Sequence, residues 1–272
     1  MDRMASDTAR PAREYWDGVG ADWRAQRHQR LWREFTDRLQ AAWCERWLGG
    51  ATPAAPARRI LKTDLFDEVA GRGLAGRLMT GGRHVTGIDI SPLIVAEAAA
   101  RNPGLEAVVA DVRRLPFADA SFDDVFSGST LDHFDRAADI AVALREIARV
   151  VRPGGRVVVT LDNPRNPLVA LRNGPLYGLV RRLGIVPYEV GVTLAPRPLE
   201  EAVRAAGLAL REMTALMHCP RVLAVTLAGP LSRLGRRGRE CYLRCLLGWE
   251  RLERWPLRWC TGHFIAVHAV KP

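Results

Sequence analysis

Lysine is nearly absent from this 272-residue chain: Lys62 and Lys271 are the only two, so arginine supplies almost all of the positive charge. Cysteine is scarce as well. The five present (Cys44, Cys219, Cys241, Cys245 and Cys260) are few and unevenly spread, which argues for free thiols in a reducing compartment and against a disulfide framework. Cys241-x3-Cys245, followed by Cys260 and His263, lacks the tight pairs of a zinc signature; the first two stand one helical turn apart, as on a buried helix face, and no metal is expected. No window reaches about 18 uninterrupted apolar residues, and the first residues carry no apolar stretch behind their charges. Neither a spanning helix nor a secretory signal is therefore expected, and the cytoplasm is the default location.

What is present fits a folded domain. Hydrophobic residues make up 48% and charged ones 26%, near the soluble average, and the length allows one elaborated domain or two small ones. The net charge is +10. Residues 230–259 concentrate it, with eight arginines against Glu240, Glu250 and Glu253. Such a segment suits a solvated helix face, an anionic substrate or a peripheral membrane surface. No dedicated RNA-binding module is readable, so nucleic acid is not an expected partner. The oligomeric state is not legible.

From Ile60 to Leu161 short apolar runs alternate with helical stretches. Ile60–Phe66, His84–Asp89, Leu105–Ala110, Asp124–Ser127 and Arg156–Leu161 read as strands, while Leu74–Met79, Pro92–Arg101 and Arg136–Val150 carry apolar residues at helical spacing. Each parallel crossover needs a connection returning over the sheet, so the fold class is α/β: a doubly wound, mostly parallel sheet. Residues 162–197 are turn-rich and read as an irregular insertion, a lid or substrate wall. Beyond it, a helix opened by Pro198 and closed by Gly207, a strand from Leu208, an Arg-rich helix within 238–253 and a last strand His263–Val270 bring the expected sheet to seven strands. The N-terminal region, Arg13–Leu48, reads as helical. Five of the eight tryptophans lie there (Trp16, Trp23, Trp32, Trp43, Trp47) and the others near the far end (Trp249, Trp255, Trp259), suggesting two aromatic ends that roof a cavity for an apolar acceptor. Boundaries at 1–56, 57–161 and 162–272 follow.

Four segments carry chemistry. The first is Leu65-Phe66-Asp67-Glu68-Val69-Ala70-Gly71-Arg72-Gly73, where glycines would let a backbone approach a ligand closely. The second is Gly87-Ile88-Asp89-Ile90-Ser91, with a carboxylate at a strand end that can accept from two ribose hydroxyls. Ser91 before Pro92 suits the cap of the next helix. The third is Val109-Ala110-Asp111-Val112. The fourth, Leu144 to Arg156, is a helix closing through Pro153-Gly154-Gly155 into a strand.

In this order the segments resemble a class I S-adenosylmethionine-dependent methyltransferase over about residues 59–161. The resemblance implies that S-adenosylmethionine is the cofactor and that Asp67, Glu68, Gly71 and Gly73 cradle its methionine part. It also implies that Asp89 and Ile90 hold the ribose, Asp111 and Val112 the adenine, and that Ser127 ends the fourth strand beside them. The chain departs from the pattern at Val69, which stands where the first glycine is usual. An earlier register remains open, with the turn at Asp64–Glu68 and Lys62 and Thr63 near the cofactor. The implied reaction is in-line methyl transfer to a small-molecule acceptor, as in secondary metabolism.

His133, in Leu131-Asp132-His133-Phe134 after the fourth strand, is a candidate general base; a packed histidine is the other reading. Tyr15 and Trp16 resemble an aromatic pair closing over the cofactor. A nicotinamide-dependent oxidoreductase and a non-catalytic cofactor-binding or partner subunit stay as alternatives. The short-chain dehydrogenase type is disfavoured, because Arg58 and Val267, not tyrosines, stand four residues before the lysines.

Overall fold

The apolar runs pair into one sheet of seven strands: β1 (Arg59–Lys62), β2 (His84–Asp89), β3 (Glu106–Val109), β4 (Phe122–Gly128), β5 (Val151–Asp162), β6 (Ala209–Leu216) and β7 (Phe264–Val270). A computed structural model describes residues 13–19, 30–49, 57–174, 177–182 and 191–272. The order is β3-β2-β1-β4-β5-β7-β6. β1 to β5 are parallel, and β7 enters antiparallel between β5 and β6. The chain leaves β1 toward β2 and β3 on one side and returns to β4 on the other. The carboxyl ends of β1 and β4 therefore border the crevice of a switch point, where open α/β sheets bind ligands.

Both faces of the sheet are covered because its strands alternate between two cores. Ile60, Val158 and Ala266 point into one core, and Leu61, Val157, Val159, Ile265 and Val267 into the other. The first is closed by α2 (Arg30–Leu48), α3 (Phe66–Ala70), α4 (Ala75–Leu78) and α5 (Pro92–Arg101), following a short helix α1 over 13–19. α6 (Ala137–Val150) and α9 (Pro196–Ala205) close the second; α6 seats Ile140, Leu144 and Ile147 there. Ser91 caps α5 by accepting from the Ile94 N–H at 3.1 Å, with Pro92 in the first turn. At the opposite end of the strands from the crevice, Asp124 is buried between Arg58 and Arg156, each bonded to both of its oxygens at 2.7–3.0 Å. Burial alone would raise the Asp124 pKa, but these two guanidiniums overcome it and hold the carboxyl below its ordinary value.

The structure departs from the sequence reading in four places. The 162–197 stretch contains α7 (Pro167–Asn173) and α8 (Tyr177–Arg182); Asn166 starts α7 by accepting from Leu168 and Val169 at 2.9 and 3.4 Å. Residues 183–190 lie outside the described residues, as do Trp23 and the 50–56 connection. Another helix, α10 (Arg221–Leu231), was not anticipated; it packs on α2 beside α11 (Arg236–Gly248), which precedes a 3-10 turn and α12 (Arg258–Thr261). Cys241 and Cys245 are exposed, because α11 turns Leu243 and Leu246 inward instead. The tryptophans also divide differently. Trp32, Trp43 and Trp47 are buried along α2, but Trp249 and Trp255 are exposed. Part of the arginine-rich segment is neutralised locally: Arg239 meets Glu34 at 3.2 Å and Arg244 meets Glu240 at 3.3 Å.

Candidate functional site

A cavity of about 1100 Å³ opens at the carboxyl ends of the central strands. It exceeds the roughly 300–1,000 Å³ typical of a pocket for one small ligand. The loops after β1, β2, β3 and β4 build one half of it, and α2, α7, α10 and the start of β7 the other.

After β1 the chain bends immediately. Thr63, Asp64, Phe66 and Asp67 line the cavity, with Leu65 turned down onto the sheet. Gly87 makes this possible: a Cβ there would lie 2.4 Å from Leu65 Cδ2. Of the two registers left open by the sequence, the bend follows the earlier one. Asp67 is held from α2 by Arg33 Nη1 at 3.0 Å and Gln40 Nε2 at 2.8 Å. Burial, opposed by Lys62 and reinforced by Asp67 and Asp89, pushes the Asp64 carboxyl up to about 7.

Glu68, Gly71 and Gly73 are not among the residues that line the cavity. Glu68 is buried and turned inward, 2.9 Å from Lys62 Nζ, and its other oxygen accepts from the Leu74 and Ala75 N–H groups at 2.9 and 3.0 Å. Burial alone would lower the Lys62 pKa, but Glu68, Asp64 and Asp67 overcome it and raise it. Gly73 adopts φ +62°, and a Cβ would stand 2.5 Å from Glu68 Oε1, so it is glycine for the carboxylate's sake. The Gly71 turn instead rests on α2, where Asp37 accepts from the Arg72 N–H at 3.1 Å. Ser127 is also off the wall: it is fully buried, accepting a hydrogen bond from Thr63 at 2.8 Å, and Gly128, Ser129 and Thr130 line the cavity in its place.

Asp89, Ile90, Asp111 and Val112 all border the cavity. Asp89 accepts the Leu65 N–H at 3.2 Å on one oxygen and the Ser91 N–H at 2.9 Å on the other. A carboxylate has about four acceptor positions, so each oxygen keeps one for a ligand. Burial raises the Asp89 pKa, opposed by those two N–H groups and Lys62. Asp111 is more committed. Arg113 Nε reaches both its oxygens at 3.0 Å, with Nη2 at 2.6 Å and the Arg113 N–H at 2.8 Å. An adenine amino group could be received there only if Arg113 gives up one contact.

Across the crevice, Trp16 and His133 line the wall together, ring centroids 4.7 Å apart and edge to face. Tyr15 does not line it; its ring backs Trp16 edge-on at 5.3 Å. Asp17 accepts from the Ser91 hydroxyl, tying α1 to the loop that carries Asp89. A polar group at the ends of β5 and β7 was not anticipated. Asp162 pairs there with Arg172, and its second oxygen lies 3.5 Å from His263 Nε2; Arg221 bonds the same His263 nitrogen. Burial, with Arg221 and Arg172 nearby, keeps the His263 pKa well below its usual value, so the ring stays neutral.

The wall is acidic although the chain is basic. Among the described residues lining it, eight aspartates (Asp64, Asp67, Asp89, Asp111, Asp132, Asp135, Asp139, Asp162) face five arginines (Arg33, Arg113, Arg136, Arg172, Arg221) and no lysine. A family profile described as "Methyltransferase domain" matches residues 69–159, which hold the loops after β2, β3 and β4. Residues 69–159 are therefore similar to a methyltransferase domain.

The chain also has named relatives. The chain is 38% identical over 161 residues to a demethylmenaquinone methyltransferase of Beutenbergia cavernae, covering 57% of this chain and 61% of that protein. It is 29% identical over 179 residues to a ubiquinone biosynthesis O-methyltransferase of Aeromonas salmonicida, covering 64% and 72%. Matches to two further demethylmenaquinone methyltransferases span 49% and 44% of those proteins, so the chain spans about half the length of such relatives. Among solved structures, a geranyl diphosphate C-methyltransferase of Streptomyces coelicolor A3(2) shares the methyltransferase fold at TM-score 0.53 and 16% identity, over 86% of this chain and 80% of that one. The [4+2]-cyclase SpnF shares it at TM-score 0.53 and 21% identity, over 87% and 80%. One fold thus serves reactions of different kinds, and the site must decide the activity. No described helix is long and apolar enough to cross a membrane.

Proposed function

We propose that the chain binds S-adenosylmethionine along the ends of β1, β2 and β3 and transfers its methyl group to a small molecule held in the rest of the cavity. The observation that carries this reading is the acidic wall in a basic protein. S-adenosylmethionine brings an ammonium and a sulfonium, and Asp67 stands beside the turn that would hold its amino-acid end, with the Asp64 and Asp89 carboxyls, whose ionised forms a bound cation would favour. A nicotinamide dinucleotide brings a pyrophosphate instead, which the same carboxylates would repel. The cofactor, when bound, supplies a methyl group on an already activated sulfur leaving group.

The protein's share is placement and exclusion of water. Asp89 has two acceptor positions left for ribose hydroxyls, and the Ala110–Arg113 segment flanks the purine. Trp16, anchored through Asp17 and Ser91, covers the cavity from the α1 side. His133 faces the acceptor half and takes a proton from acceptors that must lose one. The acceptor is a small molecule, enclosed between α2, α7 and α10.

The expected result in a thermal melt is that saturating S-adenosylhomocysteine raises the Tm by several degrees, since a ligand at about 100 times its Kd adds about 2.7 kcal/mol. NAD at the same concentration leaves the Tm unchanged. A rise with NAD alone would replace the methyltransferase reading with the oxidoreductase one, and a rise with neither would favour a non-catalytic partner subunit.

A further inference from the structure

The cavity has exposed side chains at two places, and they differ in chemistry. On the adenine side the exposed wall residues are charged, Asp135 and Arg136. On the acceptor side they are Leu168 and Leu171 of α7 and Val222 and Thr226 of α10, with the three apolar residues 55%, 49% and 65% exposed. Exposed leucines scattered over a surface need no explanation, but here they converge from two helices on the rim of one cavity. The apolar surface also continues inward, through Val225, Phe264 and Met217 to Leu39 and Trp43 of α2. Part-way in, it meets the Asp162, Arg172 and His263 group.

We propose that the acceptor is an amphiphile: its oxygen-bearing head sits by Asp162, Arg172 and His263, and its hydrocarbon tail leaves between Leu168, Leu171 and Val222. The inference rests on the methyltransferase reading and narrows it from any small molecule to one with an apolar tail. The head is placed by the polar group because His263 adjoins Phe264 in the chain and its backbone N–H bonds the Met217 carbonyl at 3.1 Å, so the polar group and the apolar path meet there. The tail is placed by the rim, where it would displace water from three apolar side chains that are each about half exposed or more.

Binding of a homologous series of 4-alkylphenols, ethyl to heptyl, measured by calorimetry with the protein saturated in S-adenosylhomocysteine, tests the proposal. Affinity is expected to rise about twofold per methylene at a half-exposed rim, hence about 30-fold from ethyl to heptyl. The double variant L171D/V222D changes two exposed positions and leaves the S-adenosylhomocysteine melting shift intact, but loses the chain-length dependence. Leu257→Asp, at an exposed leucine away from the cavity, keeps it. A flat series in the wild type, an undiminished slope in L171D/V222D, or an equal loss in Leu257→Asp would each overturn the proposal. Failure of the methyltransferase reading would show separately, as no melting shift with S-adenosylhomocysteine.

Discussion

Asp89→Ala weakens S-adenosylhomocysteine binding about a hundredfold, the loss expected when two hydroxyls each forfeit a hydrogen bond to a charged acceptor. The carboxylate is the one group at the end of β2 that touches both the loop after β1 and the start of α5, through the Leu65 and Ser91 N–H groups. Alanine therefore also loosens the bend carrying Asp64, and the unliganded variant will melt lower. Asp89→Asn separates the two effects. Its amide oxygen keeps one backbone contact, so stability falls less than in the alanine variant, while the charge and one ribose acceptor are gone. Calorimetric titration of both variants checks this. Wild-type affinity in either would mean that the nucleoside is held elsewhere.

Glu68→Ala lowers the unfolding free energy by about 3–5 kcal/mol, the usual cost of breaking a buried ion pair from one side. Three losses combine. The Lys62 ammonium remains buried without its 2.9 Å partner, and the Leu74 and Ala75 N–H groups at the start of α4 lose their acceptor. The double variant K62M/E68Q removes the charge and keeps an amide oxygen for the N–H groups, so it is expected within about 1–2 kcal/mol of wild type. Urea denaturation of the three proteins measures these differences. An Glu68→Ala variant within about 1 kcal/mol of wild type would mean that the pair is solvated and not structural.

The contrast between these two acids marks how much of the molecule was legible in sequence. The position of Asp89 at the cavity was legible because it ends a clearly apolar strand before a capped helix, and strand ends are where such sheets bind. Glu68 was assigned to the cofactor on the strength of its neighbours in the Leu65–Gly73 segment. What sequence spacing could not reveal is that a lysine at the end of β1 would draw that carboxylate into the core. Lys62 was the signal available: a lone lysine among arginines, at the last residue of a buried strand, requires a buried counter-charge.

Helix α10 escaped for a different reason. Its sequence, from Arg221 to Leu231, is apolar nearly all round and is flanked by Pro220 and interrupted by Gly229 and Pro230, so periodicity gives no face to read. Its exposed Val222 becomes meaningful only with α7, fifty residues away, on the rim of the same cavity. The acidic wall is likewise a property of the fold. Its eight aspartates are spread from residue 64 to residue 162, and only the sheet topology brings their loops to one edge.

A crystal structure of the protein with S-adenosylhomocysteine tests the central claim most directly. The account predicts both ribose hydroxyls at about 3 Å from the Asp89 carboxylate, the purine against Ala110–Arg113 with an Arg113–Asp111 contact released, and the amino-acid end toward Asp64 and Asp67. A ligand seated outside this crevice, or Asp89 still bonded to Leu65 and Ser91 alone, would contradict it.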